Sequence, residues 1–467
     1  MMRPAPPRID PASFRDPLGR VLLADGEIYR IILPPGRAWL AEVWDTGIIR
    51  RLTEAGFLIE TRAVENPGLA SDLLQADSLA VLEHERLPFI SYPYEWSFPG
   101  LKKAALLHLD LHLALLREGF TLSDGTAFNV QFRGTRPVYI DVLSVTRYNE
   151  GEPFAGYGQL QRQFLNPLVL EAESGVSPNA AYRGSLDGIT SEDTWRLLPV
   201  RAKLKLAYWT HIGLTARYDR RTARLMTQAL PAPPRLPKPR LIALLQHLRI
   251  IIASLKQRAP SRSGWADYAD GASYSPADTA TKMSLIARFC QTARPRCILD
   301  VGCNVGIYAA HALANGASSA VGIESDRATA NLAFARADEG NLNFLPLNVD
   351  FANPSPSQGW AGTERAGLFE RLKADALLAL AIVHHLCIGR GIPLADIVSA
   401  LTGLAPRGLI EFVPKDDPQT QRLLRYRPDV RSDYSLENFR ALLAAQTKIV
   451  GEVEVSSSGR RVFEYAA

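Results

Sequence analysis

The C-terminal part of this chain is predicted to be α/β, a doubly wound parallel sheet, with an α+β domain and a helical linker before it. Three observations predict that fold. Residues 297–310, CILDVGCNVGIYAA, read as a buried strand running into a glycine-bearing loop and then a helix. Residues 320–326, AVGIESD, are a second short apolar strand that ends in acid. From Gly264 onward helical and strand patterns alternate, the signature of such a sheet.

The elements follow in order. Strands are expected near 297–301, 319–324, 343–349, 375–382, 408–413, 448–455 and 460–465, the last two antiparallel. Upstream, residues 20–33 look like a hairpin turning at Asp25-Gly26. Leu101 to Glu118 carries apolar residues at helical spacing, and Gly119 ends it. Residues 121–132 and 137–144 read as two short strands, and beyond Glu150 the chain turns mainly helical. Five prolines between Ala229 and Arg240 forbid regular helix. A helix with aliphatic residues around much of its circumference follows, from about Leu241 to Lys256. That width suggests burial between domains, and the basic residues Arg240, Arg249, Lys256 and Arg258 leave a membrane-surface role as the alternative. The division expected is therefore 1–228 for the N-terminal domain, 229–263 for the linker and 264–467 for the C-terminal domain.

Composition narrows the function. A chain of 467 residues with 47% hydrophobic content can bury two cores, so bulk disorder is excluded. The formal charge of +5 is small for this length and no long basic run appears, which argues against a nucleic-acid partner. No apolar run is long enough to cross a bilayer, and the proline-rich start lacks an apolar signal core. Cys290, Cys297, Cys303 and Cys387 fit no metal spacing and read as reduced core residues of a cytoplasmic protein. No histidine–acid–cysteine cluster argues for a catalytic metal.

The chemistry should lie outside the carboxyl ends of the strands. Gly302 and Gly306 flank Asn304 in the first loop, where small residues let backbone approach a ligand. Glu324 lies about 22 residues beyond Gly302, the range at which an acid accepts hydrogen bonds from ribose hydroxyls. A dinucleotide-binding G-x-G-x-x-G would need glycine where Ile307 stands. Asp350 follows the third strand, as a ligand group or a turn cap. His384 and His385 end the apolar run of the fourth, where only one should meet a substrate and a histidine satisfied within the loop is the other reading. Glu411, Lys415 and Asp416 line or follow the fifth strand. Trp265, Tyr268, Tyr274 and Lys282 precede the first strand as lid or packing.

The pattern Asp300-x-Gly302-x-Asn304-x-Gly306 resembles the first motif of class I S-adenosyl-L-methionine (SAM)-dependent methyltransferases, with Asn304 in place of the usual middle glycine. The resemblance implies a Rossmann-like sheet, SAM as cofactor, Glu324 as the ribose-binding acid, Asp350 near the adenine, and His384 or His385 directed at the acceptor. Methyl transfer is an in-line displacement, so alignment dominates, and a histidine base helps where the acceptor must lose a proton.

In the N-terminal part, Asp124, Asn129 and Asp141 are spaced as in the protein-kinase-like fold, which this segment resembles. The resemblance implies an N-lobe hairpin at residues 20–33, a hinge at Ser91–Trp96, Asp124 as base, and Asn129 with Asp141 as magnesium ligands. The segment departs from that pattern. Leu122-Ser123 and Val142-Leu143 replace the expected flanking residues, no lysine precedes Lys102, and the hairpin has one glycine at its tip. Only Arg30 or Arg37 stands in for the phosphate-binding lysine, so efficient phosphoryl transfer is not expected.

Through the segments SDGTAFNVQF, LDVGCNVG, LALAIVHHL and IEFVPKDD the whole chain is similar to a group of bacterial two-part SAM-dependent methyltransferases, some associated with nodulation. The expectation is an enzyme that methylates an O or N atom of a small molecule or modified metabolite, with the N-terminal domain recognising the acceptor. A scaffold with a kinase-like docking module, or a bifunctional phosphotransferase-methyltransferase, is the alternative. A large apolar surface on the N-terminal domain would favour docking.

Overall fold

The computed structural model describes residues 7–64, 78–224, 235–258, 275–425 and 432–467. The N-terminal sheet holds β1 (Arg8–Ile9), β2 (Gly19–Ala24), β3 (Glu27–Ile32), β4 (Thr61–Ala63) and β5 (Ala80–His84). All its pairings are antiparallel and the order is β1-β2-β3-β5-β4. The hairpin expected at residues 20–33 is β2–β3, turning through Asp25 and Gly26, both at positive φ. Helices Arg37–Glu42 and Ile48–Glu54 cross between β3 and β4, and Trp39 donates its indole N–H to Val145 O at 2.9 Å.

Helix Phe98–Arg117 starts on a Ser97 cap and ends before Gly119 at positive φ. The two short strands expected next are more broken than the sequence suggests. β6 (Phe120–Leu122) pairs with β9 (Val145–Arg147), and β7 (Val130–Arg133) forms a hairpin with β8 (Arg136–Tyr139). Tight turns at Ala127–Asn129 and Val142–Ser144 interrupt them. The helix expected at 241–256 runs Lys238–Ser254 and lies along Phe98–Arg117, where Lys102 Nζ caps it through Ala253 O and Leu255 O. Its Ile250 stays 65% exposed, so one face is buried rather than the whole circumference.

The C-terminal sheet has β10 (Cys297–Val301), β11 (Ser319–Glu324), β12 (Phe344–Asn348), β13 (Ala376–Ala379), β14 (Arg407–Phe412), β15 (Lys448–Glu454) and β16 (Arg461–Ala466). Their order is β12-β11-β10-β13-β14-β16-β15, with the first five parallel and β16 antiparallel to both neighbours. Strand order reverses beside β10, which opens a crevice at the strands' carboxyl ends. Residues of β10 are buried on both faces, as Ile298, Leu299 and Val301 show.

The two sheets are joined by polar and aromatic contacts. Glu95, in the segment expected as a hinge, is buried and ion-paired with Arg371, whose guanidinium stacks 4.1 Å from the Tyr92 ring centre. Phe98 N–H donates to Asn331 Oδ1 at 3.0 Å, and Phe132 meets Phe334 edge-on. Both Asn331 and Phe334 belong to helix Arg327–Glu339, which Asp326 caps through Thr329 N–H at 2.8 Å.

Candidate functional site: a cavity at the ends of the parallel strands

Three residues in the left-handed region turn the chain out of β10: Gly302 (φ 78°), Asn304 (φ 50°) and Gly306 (φ 78°). Asparagine is among the few side chains that adopt this conformation readily, which is how Asn304 stands where a third glycine is usual. A Cβ at Gly306 would lie 2.5 Å from Phe344 Cε1, so close packing as well as backbone requires glycine there. The loop is tied to the end of β11 by Gly302 N–H to Ile323 O at 2.9 Å.

Glu324, the last residue of β11, completes the turn. One carboxylate oxygen accepts the Asn304 N–H at 3.0 Å and the other accepts the Asp326 N–H at 2.7 Å. Burial raises its pKa and these two N–H bonds oppose the rise. Each oxygen keeps lone pairs for further donors.

Around these groups lies a cavity of about 460 Å³, within the range of small-ligand sites. Gly302, Cys303, Asn304 and Glu324 form one side, and Ile323, Val349 and Phe351 supply an apolar wall. Asp350 also lines it, accepting Ala352 N–H at 2.9 Å and paired with Arg390, itself a lining residue. Asp300 and Gly306 do not line the cavity. Asp300 is buried beneath it, its Oδ2 without a hydrogen-bond partner and its pKa pushed up to about 7 by burial, with Glu324 adding to the rise.

The two histidines stand differently from what strand alternation predicts. β13 ends at Ala379, Ala381 takes φ 54°, and His384 and His385 lie on the helical turn that follows. His385 lines the cavity. His384 is fully buried, with neither ring nitrogen hydrogen-bonded and its ring centre 4.0 Å from that of His385. Burial drives His384 far below the usual histidine range and lowers His385 to about 4, helped in both by Arg460. Both imidazoles are therefore neutral near pH 7.

Lys282 also lines the cavity and donates to Glu411 Oε2 at 2.7 Å, a fully buried pair. Burial lowers the Lys282 pKa to about 8 against the pull of Glu411. Lys415 and Asp416 are not among the lining residues, and Trp265, Tyr268 and Tyr274 lie outside the described residues. Phe351, Arg390 and Tyr308 line the cavity but were not singled out from the sequence. Tyr308 carried a signal, two positions into the helix after Gly306. Arg390 carried none, because it meets Asp350 only through the fold.

In the N-terminal part the fold brings Asp124, Asn129 and Asp141 together. Asn129 Nδ2 donates to Asp124 Oδ1 at 3.0 Å and to Asp141 Oδ2 at 3.4 Å. Arg30, nearly buried on β3, reaches both Asp16 and Asp141 at 3.2 Å. Arg37 heads the next helix and is exposed. Burial pushes Asp124 up to about 7, with the Asp141 charge adding to it.

The reversal at β10, the antiparallel β16 and the acid closing β11 together define a class I methyltransferase fold in the C-terminal part. The whole chain belongs to the family of nodulation protein NoeA from Rhizobium meliloti (strain 1021), with which it is 40% identical over 464 residues, 99% of this chain and 96% of that one. No protein-family model matches the chain. Among solved structures it is similar to magnesium protoporphyrin IX methyltransferase from Synechocystis PCC 6803 with bound SAH, at 18% identity over 40% of this chain and 83% of the other, TM-score 0.30. It is similar to WbdD at 18% identity over 46% of each chain, TM-score 0.31, and to N-methyltransferase NodS from Bradyrhizobium japonicum WM9 at 11% identity over 40% of this chain and 96% of that one, TM-score 0.30. Those overlaps are too low to add to what the chain's own geometry says. Among the described residues no helix is long and apolar enough to cross a membrane.

Proposed function

We propose that this protein is a SAM-dependent methyltransferase that methylates an O or N atom of a small molecule or modified metabolite. One observation carries the reading: the carboxylate of Glu324 and the loop of residues 302–305, with Gly302 and Asn304 in the left-handed region, face one cavity at the point where strand order reverses. The donor set fits SAM. Glu324 would accept the ribose hydroxyls, the Gly302–Asn304 backbone would hold the methionine moiety, and Ile323, Val349 and Phe351 would flank the adenine near Asp350. When bound, SAM supplies an electrophilic methyl group.

The chain's residues would do the rest. His385 faces the cavity as a neutral imidazole, able to accept a hydrogen bond from an acceptor O–H or N–H and so orient its lone pair. His384 packs behind it and holds that ring in place. Asp300, buried and not among the lining residues, would not touch the ligand.

The N-terminal sheet order, its two crossing helices and the β6–β9 and β7–β8 pairs support a kinase-like fold. Recognition of the acceptor, rather than phosphoryl transfer, is its proposed role. Arg30 pairs with Asp141 as well as Asp16, and Asn129 donates to both Asp124 and Asp141, so donors of the chain itself already stand among the acids where a magnesium ion would bind.

Calorimetry with S-adenosylhomocysteine tests the reading. The wild-type protein should bind one equivalent, and Glu324→Ala should weaken binding by about 10–100-fold, the worth of charge-assisted bonds to the ribose. Equal affinity in the variant removes Glu324 from the site. No binding by the wild type removes the cofactor.

A further inference from the structure

The N-terminal part carries a run of aliphatic side chains that the methyltransferase reading leaves without a role. Leu197 is 59% exposed, Val200 74%, Leu204 81% and Leu206 74%. They stand on and between three short helices, Ser191–Leu197, Val200–Lys203 and Leu206–Tyr208. Their neighbours Leu198, Ala202 and Tyr208 are buried, so the segment has one face in the core and one apolar face toward water. The outward residues are not the spare tips of a loose loop. Thr190 caps the first helix through Asp193 N–H at 3.0 Å, and Tyr208 OH donates to Glu173 Oε1 at 2.8 Å.

Cations are interleaved with these side chains. From Ser191 to Arg221 stand seven lysines and arginines against three acids, Glu192, Asp193 and Asp219, with Arg196 paired to Glu192. Lys205 pairs with Glu173 yet keeps about half of its side chain exposed, and Lys203 lies 5.9 Å over the Trp195 ring. Arg201 is exposed while reaching Glu173 O, and Arg217 and Arg220 are exposed on the helix Leu214–Arg224.

We infer that this face docks the protein reversibly on an anionic lipid bilayer surface. Side chains that protrude singly fit a headgroup layer, which closes around each of them, better than a preformed partner groove. The interleaved cations match an anionic leaflet in sign. Docking of this kind needs no membrane-spanning helix and would give the enzyme access to an acceptor carried on a lipid or released near the membrane. It stands whether or not the C-terminal cavity binds SAM.

The test is flotation of the full chain with vesicles of phosphatidylcholine alone or mixed with phosphatidylglycerol, at low and high salt. The wild type should float with the mixed vesicles at least about tenfold more than with neutral ones, and salt should weaken this. Leu204→Ser with Leu206→Ser should cut binding by about tenfold, with melting temperature unchanged. A milder variant, Leu204→Ala, guards against misfolding and should lose part of the binding. No flotation with anionic vesicles would overturn the inference, as would equal binding by both variants. A stable dimer that the same substitutions dissociate would instead assign the face to a second copy of this chain.

Discussion

Two clusters of acids in this molecule were equally visible as sequence, and the fold treats them in opposite ways. Glu324 closes a strand, is braced by two backbone N–H groups, and faces a cavity of about 460 Å³. Asp124 and Asp141 also follow strands, but their partners are side chains: Asn129 and Tyr139 donate to Asp124, and Arg30 and Asn129 stand against Asp141. A carboxylate held by backbone keeps its other lone pairs for a ligand. One held by side chains has those side chains as its partners. Spacing alone cannot separate these cases, because Arg30 lies far from Asp141 in the chain and meets it only across the fold.

The comparison can be broken from either end. The largest effect is expected at Gly306. Alanine there must take φ near 78° and put its Cβ against Phe344, so Gly306→Ala should lower stability by roughly 2–4 kcal/mol, read as a fall in urea midpoint. Gly302→Ala carries the same backbone strain at φ 78° but meets only the Ile382 side chain, at 3.2 Å or more, and should lose less stability than Gly306→Ala while weakening S-adenosylhomocysteine binding. If the two glycines behaved alike, the loop would be a structural turn and not a ligand cradle.

Next comes Arg30. If it substitutes for a cation between Asp16 and Asp141, Arg30→Met should cost about 3 kcal/mol of stability by stranding both acids. Added magnesium should recover part of that loss in the variant and do nothing to the wild type. Magnesium stabilisation of the wild type would mean that the acids are open to metal after all.

The two histidines should separate turnover from stability. On an identified acceptor, His385→Ala should reduce turnover at least about tenfold with S-adenosylhomocysteine affinity preserved, because His385 lines the cavity. His384→Ala should chiefly lower the melting temperature, since that ring is fully buried. Full turnover in His385→Ala would leave alignment alone as the catalytic device.

The smallest effect is a pH dependence. Asp300 has a folded pKa raised to about 7, so the folded state holds its proton between about pH 4 and 7 while the unfolded chain releases it. Asp300 therefore makes stability fall as pH rises through that window. Asp300→Asn should flatten the slope, measured as urea midpoint against pH. An unchanged slope would mean that Asp300 is not the group responsible.

How much of this could be read from the chain depends on how local each cause is. The strands of the C-terminal sheet were readable because a parallel strand covered on both faces leaves a short apolar run, as Cys297–Val301 and Ser319–Glu324 do. The run through Val383 misled at its end. Leu380, Ala381, Ile382 and Val383 are apolar in strand and helical turn alike, so composition does not show where Ala381 leaves the extended region. The broken strands around Asn129 were hidden for a related reason, since a tight turn such as Ala127–Asn129, with Ala127 and Phe128 buried, needs no glycine or proline within it. Lys282 was noticed only as a neighbour of aromatics. Its partner Glu411 lies 129 residues away, a contact that no periodicity encodes.

The central claim is that the C-terminal cavity, and not the N-terminal acid cluster, is the ligand site of this protein. Calorimetry of the full chain with S-adenosylhomocysteine, and separately with magnesium-ATP and magnesium-GTP, tests it most directly. The account predicts one equivalent of S-adenosylhomocysteine bound, lost or weakened in Glu324→Ala, and no nucleotide binding in the micromolar range. Micromolar nucleotide affinity with phosphate transfer, or no S-adenosylhomocysteine binding by the wild type, would contradict it.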